Sequence, residues 1–391
     1  MLSFLLNSIS SAIGLILWVV QKLFRPMSVL TILCAICQPK ETKQKLHLFY
    51  TTFLFLSSCK DKKWSKPKND PGNYYDATIT SKSTDSSTNT TSSNSTSKTI
   101  IFIRHGESTW NDTFNKGDRP KMTFLQNFIP NLIYALYMEW YMFVTGKDNE
   151  SWFYDSPLSP KGVRQAKDLR FFLQQPGTTK SEIEIMNLIS GKTKGNNGQP
   201  KSQLVSSNLR RAITTMALGL QDRLDQQYPD DSIIIMPELQ EISRNPDALS
   251  ITPPHGKVLP SFVDKNITTC DLPRIYDKQV DTKTFHYGNK ALTSNGLERM
   301  QSFCKIVFDK IDKDVVIAAG HSLWFRSFFQ TYLPWNVEHK AKKKKLINGG
   351  CVSFTLHKVM SNNDNDDKSS NQQEDMYFID PKSIHIIYGG F

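Results

Sequence analysis

Apolar segments of strand length alternate with amphipathic segments of helix length along most of the chain. Short apolar runs between polar turns predict buried strands at residues 99–103, 203–207, 232–236 and 315–319. Apolar residues that recur every three or four positions predict helices from Pro160 to Phe172, Arg210 to Leu220 and Leu297 to Ile311. Residues 383–388 predict a final edge strand. Because strands and helices alternate, we predict a three-layer α/β/α fold with a mostly parallel central sheet.

The N-terminal region is the most apolar part of the chain. Met1–Gln21 contains no charged residue, and about 20 such residues suffice to cross a bilayer as a helix. Val29–Cys37 and Leu46–Leu56 are each too short to span alone, so one span with interfacial pieces and a re-entrant pair both fit. We predict an N-terminal membrane segment and rank a buried core helix below it. Basic residues follow Met1–Gln21 and none precedes it, so the positive-inside rule predicts a cytoplasmic C-terminal domain.

The composition divides the chain into three parts. Residues 1–60 form the apolar, membrane-anchoring region, and residues 61–98 are rich in Ser, Thr and Asn and predict a disordered linker. Residues 99–391 form one large domain with an apolar insertion at 121–146. The insertion predicts one or two helices broken near Pro130, packed as core or as a lid rather than against a membrane, because it carries few Lys or Arg. Residues 243–290 predict a long loop over the site.

Charge narrows the classes of partner. The chain has 391 residues, with 48 Lys and Arg against 37 Asp and Glu, a formal net charge of +11. This balance favours phosphorylated substrates or an anionic membrane surface. No zinc-ligand spacing, basic region or RNA-binding signature accompanies the charge, so we do not expect nucleic acid as a partner.

The first predicted strand ends in Arg104, His105 and Gly106. Open α/β sheets place their chemistry outside the carboxyl ends of strands, and Gly106 allows a sharp turn there. His321 directly follows the strand at 315–319 in the same manner. Taken alone, such a tripeptide also fits an ordinary strand-to-loop junction with a solvated histidine.

Five segments occur together in a fixed order. They are Arg104–Asn111, Asp155–Ala166, Ser206–Ala212, Leu239–Glu241 and Gly320–Ser322. In sequence and order they resemble the signature segments of the histidine phosphatase superfamily, the phosphoglycerate mutase-like proteins. The resemblance covers Thr99 to about Leu356 and implies a phosphoglycerate mutase-like fold.

The resemblance also implies a chemical role for each matching residue. His105 is the nucleophile that forms a phosphohistidine, and Glu241 is the proton donor. The residues that hold the phosphate are Arg104, Arg211, His321 and Asn111. Family spacing selects Arg211 over Arg210, and Glu241 over Glu238. The implied enzyme needs neither a metal nor another cofactor.

The segment that follows Glu241 bears on the type of reaction. Residues 242–249 do not look like the segment with which mutases of the family hold their bisphosphate intermediate. We therefore predict a membrane-tethered phosphatase that hydrolyses a phosphomonoester on a small molecule, a lipid or a protein. Mutase-type phosphoryl transfer and a non-catalytic phosphate-binding membrane scaffold remain as alternatives.

Overall fold

A mixed eight-stranded sheet lies at the centre of the described part of the chain. The computed structural model describes residues 22, 27–58, 61–62, 70–75, 95–147, 150–264, 267–359 and 375–391. Met1–Gln21, where we predict the membrane segment, and most of the predicted linker lie outside these ranges. None of the described helices combines the length and hydropathy needed to cross a bilayer.

The strands occupy the positions that the apolar runs predict, with three more near the C-terminus and in the region after residue 243. They are β1 Ser95–Arg104, β2 Ser202–Ser206, β3 Ile233–Ile235, β4 Val280–Asp281, β5 Val315–Gly320, β6 Cys351–Val359, β7 Met376–Ile379 and β8 His385–Tyr388. The sheet order is β4-β3-β2-β5-β1-β6-β7, and β8 also pairs with β6. The first five strands in this order are parallel, whereas β6 runs antiparallel to β1, β7 and β8. The prediction of a mostly parallel sheet is confirmed.

Along the chain, helices precede the first strand and connect the strands of the sheet. They are α1 Pro39–Ser58, α2 Thr109–Phe114, α3 Lys121–Val144, α4 Pro160–Gln174, α5 Lys180–Ile189, α6 Arg210–Gly219, α7 Gln221–Leu224, α8 Leu272–Lys278, α9 Gly296–Asp309, α10 Ser322–Tyr332 and α11 Lys340–Lys343. Residues 27–37 and 71–75 are also helical. The helices predicted from Pro160, Arg210 and Leu297 are confirmed within a few residues.

Alternating side chains of the central strands build two apolar layers. In β1, Ile101 and Ile103 belong to the core beneath α4, α6 and α8. Ile100 and Phe102 belong to the opposite core beneath α9 and α10, where Phe102 stacks on Phe325 with ring centroids 4.1 Å apart. Because successive strand residues point to opposite faces, one sequence run serves both layers. The three-layer α/β/α arrangement is therefore present.

Two of our expectations about irregular regions are wrong. The insertion forms one unbroken helix, α3, with Pro130 inside it. Pro130 lacks an N–H and so cannot form one of the helical hydrogen bonds. Because Pro130 is exposed, water can satisfy the carbonyl group that this leaves unpaired, and the helix continues on both sides. The region 243–290 is not all loop, since it contains α8 and β4. Asp271 caps α8, with a proline in the first turn, and this start signal is visible in the sequence.

The N-terminal helices pack against the insertion. The indole N–H of Trp140 in α3 donates to Thr31 Oγ1 at 3.0 Å. Lys45 in α1 forms an ion pair of 2.7 Å with Glu139 in α3. Farther along, Phe55 is buried beside Leu249. Residues 27–58, which we assigned to a separate anchoring region, thus contact the large domain directly, while the domain boundaries themselves stay a prediction.

Candidate active site

Two neighbouring parallel strands bring two histidines together. In the pairing of β1 with β5, Arg104 lies opposite Gly320, and the N–H of His105 donates to the Gly320 oxygen at 3.0 Å. Each histidine follows the last residue of its strand. The rings of His105 and His321 consequently lie with their centroids 4.9 Å apart. The register of the sheet therefore sets the spacing of the two imidazoles.

His105 is held in one tautomer. Its Nδ1 lies 2.5 Å from the backbone oxygen of Gly106, and because a carbonyl can only accept, Nδ1 must carry the proton. Nε2 then keeps its lone pair. Burial lowers the pKa of His105 well below 6.5, and the charges of Arg211 and Arg104 lower it further. The ring is therefore neutral at neutral pH, the form required of a nucleophile.

Two buried guanidinium groups flank His105. Arg104 donates to the Leu346 oxygen at 2.5 Å, and Arg211 donates to the Asp247 oxygen at 2.7 Å. Burial lowers the pKa of Arg104 to about 10, while Glu241 and Glu107 oppose that change. Arg104 thus remains charged at neutral pH. Each arginine keeps donors that these backbone contacts do not use.

Three buried nitrogen atoms around His105 lack a partner. Within the described part of the chain, Nε of Arg104, Nε of Arg211 and Nδ1 of His321 find no hydrogen-bond partner. The other ring nitrogen of His321 lies 2.9 Å from Ser207 Oγ. Burial first, and then Arg211 and His105, lower the pKa of His321 well below 6.5. The two arginine nitrogens are donors, and Nδ1 of His321 is a third in the tautomer whose Nε2 accepts from the Ser207 hydroxyl. Unpaired buried donors are costly unless a ligand satisfies them, so this cluster fits an oxyanion.

Glu241 reaches the same cavity from the other side. Its Oε1 accepts the backbone N–H groups of Ile242 at 2.9 Å and of Trp324 at 3.1 Å. Trp324 lies in the first turn of α10, whose free N–H groups favour a carboxylate. These contacts fix one carboxylate oxygen and leave Oε2 to carry or accept a proton.

A cavity of about 130 Å³ joins these groups. The site residues predicted from sequence that line it are Arg104, His105, Asn111, Arg211 and Glu241. His321 adjoins it through the contact with His105. The lining residues that sequence reasoning did not single out are Asn115, Ser243, Asn245, Asp247, Ser322, Leu323 and Lys345.

Lys345 lines the cavity although its position in the sequence did not place it there. From sequence alone, the run of four lysines at 342–345 is typical of a solvated face, although it could also attract phosphorylated ligands or acidic lipid. In the structure β6 pairs with β1, with Cys351 opposite Ile103, so the residues just before β6 return to the cavity. Asn348 in this return donates to the backbone oxygen of His105 at 3.0 Å. The turn formed by Asn348 and two glycines, followed by an apolar run, could have indicated this return.

The second of the five segments supports the first through its backbone. A Cβ on Gly162 would lie 2.0 Å from the Glu107 oxygen, and one on Gly106 would lie 2.4 Å from the Gly162 oxygen. Ser159 caps α4 and its N–H donates to Glu107 at 2.8 Å. Only glycine permits this close approach, so α4 holds the loop that carries His105.

The adjacent arginines of α6 have different partners. Arg210 forms an ion pair of 2.8 Å with Glu150, and its backbone N–H donates to Asp155 at 2.7 Å. Arg211 faces the cavity instead. Of the two adjacent arginines, Arg210 is thus held by ion pairs and Arg211 lines the cavity, while the role implied for Arg211 stays a prediction. In the described ranges no three His, Cys, Asp or Glu side chains are grouped as metal ligands would be.

Of three comparisons with known proteins, only the comparison with solved structures finds similar proteins. No family model matches the chain, and a search of curated proteins finds no match. The chain is similar to alpha-ribazole phosphatase from Shigella flexneri, with 13% identity, a TM-score of 0.31 and coverage of 66% of this chain and 89% of that chain. It is also similar to a phosphoserine phosphatase mutant from Entamoeba histolytica, with 15% identity, a TM-score of 0.29 and coverage of 66% and 89%.

A third similar structure is a mutase. Phosphoglycerate mutase from Bacillus anthracis shares 15% identity at a TM-score of 0.30, with coverage of 67% of this chain and 88% of that chain. The matched proteins belong to the histidine phosphatase superfamily, which the five segments resemble. At these identities and TM-scores the likenesses assign no substrate and no residue role.

Proposed function

We propose that this chain is a phosphatase of the histidine phosphatase superfamily that hydrolyses a phosphomonoester through a phosphohistidine on His105. One observation carries the proposal. Three buried nitrogen atoms without partners, on Arg104, Arg211 and His321, surround a neutral histidine whose Nε2 is unprotonated. A phosphoryl group has three oxygens for such donors and a phosphorus atom for such a nucleophile.

The first step forms a bond to His105. Nε2 attacks phosphorus while the bond to the ester oxygen breaks, and Glu241 gives its proton to the leaving alkoxide. The proton stays on Nδ1 and is donated to the Gly106 oxygen in a hydrogen bond, which stabilises the positive charge that the ring acquires. Arg104 and Arg211 hold the equatorial oxygens with fixed donors, and these contacts strengthen as negative charge spreads in the transition state.

The second step releases phosphate. Glu241, now ionised, takes a proton from a water molecule whose oxygen attacks phosphorus, and the bond between phosphorus and Nε2 breaks. His105 returns to its neutral form and Glu241 to its acid form. Besides the substrate and this water molecule, the steps use only side chains and backbone groups of the chain. Hydrolysis follows wherever no second hydroxyl group is held in place of water.

We also propose that the enzyme works at a membrane, with its catalytic part on the cytoplasmic side. The support is in the sequence: Met1–Gln21 is uncharged, basic residues follow it, and the net charge is +11. Small phosphoesters, phosphorylated lipids and phosphoproteins all remain candidate substrates. A panel of these compounds, with phosphoglycerates included, separates hydrolysis from mutase-type transfer.

The proposal is tested with the full chain and p-nitrophenyl phosphate in the presence of a chelator. We expect hydrolysis, and we expect His105→Ala to lose at least about 1,000-fold in kcat, the cost typical of removing a nucleophile. His385→Ala is the matched control, because His385 is an exposed histidine on β8, and its activity should equal that of the wild type. Full activity in His105→Ala would overturn the nucleophile assignment. An inactive parent would instead favour the phosphate-binding scaffold.

A further inference from the structure

The outer face of α3 is apolar where it meets solvent. Exposed aliphatic side chains recur along it at intervals of three and four residues: Met122, Leu125, Ile129, Ile133 and Leu136. The inner face is apolar as well, with Ala135 and Met142 buried. A helix covered by water on one side carries polar residues there. The outer face of α3 is therefore not packed core, whereas the alternative of a lid is untested.

The two N-terminal helices repeat this pattern. In α1 the exposed row is Leu46, Phe49, Phe53 and Leu56, and in helix 27–37 it is Val29, Ile32, Leu33 and Ile36. Most of the large apolar side chains that are exposed in the described part of the chain lie on these three helices. Soluble monomers rarely leave so much apolar surface uncovered, and such a surface marks an interaction site. We call these three outer rows the apolar platform.

The platform is one packed unit. Helix 27–37 contacts α3 through Thr31 and Trp140, and α1 contacts α3 through Lys45 and Glu139. Each helix turns its polar contacts inward and its apolar row outward. The outer rows are therefore exposed on helices that are packed against one another, not on a detached helix.

We propose that the apolar platform docks on an anionic lipid bilayer, with its helices lying in the plane of the membrane surface. Such a helix buries its apolar face at the headgroup boundary without crossing the membrane. This inference extends the membrane association proposed above to a second contact surface, and it does not require the phosphatase activity.

Several features favour a bilayer over a protein partner. The chain that leads into helix 27–37 is Met1–Gln21, a segment without charge. Exposed lysines stand at the starts of α1 and α3, where anionic headgroups would meet them: Lys40, Lys43, Lys116 and Lys121. Exposed tyrosines, Tyr50, Tyr134 and Tyr137, lie among the aliphatic rows, as is typical of side chains at the headgroup level.

The platform is also close to the active site. Asn111 lines the cavity from α2, and Phe114 on the same helix packs against Phe128 of α3 with ring centroids 6.4 Å apart. The short helix α2 therefore lies between the cavity and α3, the helix that carries one row of the platform.

The test compares the full chain with two double variants by flotation on vesicles. Leu125→Asp/Ile129→Asp changes the platform, and Phe171→Asp/Ile183→Asp is the matched control, because it changes exposed apolar residues of α4 and α5. The proteins are synthesised without detergent and mixed with vesicles of phosphatidylcholine containing about 30% phosphatidylserine. We expect the platform variant to bind about tenfold more weakly than the wild type and the control to bind like it. Circular dichroism and thermal melting check that each variant is folded, whether or not the chain is active.

A second measurement does not depend on how strongly Met1–Gln21 attaches. Amide hydrogen exchange over α3 should slow when phosphatidylserine vesicles are added, and this slowing should be absent in Leu125→Asp/Ile129→Asp. Equal flotation of all three proteins with unchanged exchange over α3 would overturn the proposal. Slow amide exchange over α3 before vesicles are added would also overturn the proposal. It would mean that Met1–Gln21 already covers the platform. Chain–chain cross-links that only the platform variant loses, with unchanged flotation, would assign the surface to a second copy and overturn it also.

Discussion

The guanidinium of Arg211 lies 3.3 Å from the carboxylate of Asp247, inside the cavity where we place the substrate phosphate. Burial raises the pKa of Asp247 to about 6, while Arg211 opposes the rise and Glu241 adds to it. Above pH 6 the ionised carboxylate therefore competes with any phosphate for Arg211. Below pH 6 it takes up a proton and the competition weakens.

Asp247→Asn should remove this competition. We expect the variant to bind sulfate roughly tenfold more tightly than the wild type at pH 7.5, because one buried negative charge beside Arg211 is gone. At pH 5.5 most of the wild-type carboxylate is protonated, so the two affinities should approach each other. Sulfate keeps its charge over this range, and titration calorimetry measures both values. Equal affinities at pH 7.5 would show that Asp247 does not restrain Arg211.

The contact of Gly162 with the loop that carries His105 predicts a large effect from one methyl group. Gly162→Ala would place a Cβ 2.0 Å from a backbone oxygen of Glu107, so α4 or the loop must move. We expect a loss of about 3 kcal/mol in the free energy of unfolding, measured in urea, together with reduced kcat. Gly195→Ala is the control, because its Cβ would meet the Asn197 side chain at 3.2 Å and a backbone oxygen of Gln199 only at 3.8 Å. A fully stable and active Gly162→Ala would contradict the packing described.

A buried carboxylate just after the N-terminal helices helps to hold the loop of Glu241, the proton donor that we propose. Asp61 forms ion pairs with Lys290 at 2.6 Å and with Arg299 at 2.5 Å. The Lys290 ammonium also donates to the backbone oxygens of Glu241 at 2.6 Å and Ser243 at 3.1 Å. The segment that we predicted as a linker therefore begins with a residue that positions the Glu241 loop.

Asp61→Asn should weaken both stability and proton donation. We expect a loss of about 3 kcal/mol in unfolding free energy, since two buried cations lose the carboxylate that they share. Hydrolysis of glycerol phosphate should fall more than that of p-nitrophenyl phosphate, because only the alkoxide leaving group needs a proton. Asp277→Asn removes an exposed pair with Lys257 and should change neither quantity measurably. Equal losses on both substrates would indicate a structural role alone.

Lys345 at the cavity mouth predicts an effect on substrate affinity. Lys345→Gln should raise KM about tenfold with little change in kcat, because an exposed cation at the rim attracts the anionic substrate in both ground and transition states. Lys344→Gln is the matched control, since Lys344 is exposed but does not line the cavity. Steady-state kinetics at two ionic strengths measure the effect, which added salt should reduce. Equal KM values for Lys345→Gln and Lys344→Gln would show that Lys345 does not contribute to substrate binding.

Local patterns in the sequence predicted much of the fold. The runs that became β1, β2, β3 and β5 are apolar on both faces, which is typical of strands buried between two helical layers. The cap Ser159 and the proline after it located the start of α4 within one residue. These signals arise from contacts close in sequence, so they can be found without knowledge of the tertiary structure.

Contacts between distant residues could not be predicted in this way. The pairing of β6 with β1 brings Lys345 to the cavity, and the ion pairs of Asp61 join the N-terminal helices to Lys290 and Arg299. Neither has a local pattern, because a single lysine in a basic run, or one aspartate after a helix, does not indicate its partner. Both faces of α3 are apolar, so periodicity alone did not show which one is packed.

The most direct test of the phosphohistidine is a rapid-quench experiment with a radiolabelled phosphomonoester and the full chain. The structure predicts that label appears on the protein within one turnover, is lost in acid but not in base, and maps to the peptide that contains His105. His105→Ala should carry no label, whereas the control His385→Ala should be labelled like the wild type. Label on another residue, or turnover at the wild-type rate in His105→Ala, would contradict the mechanism.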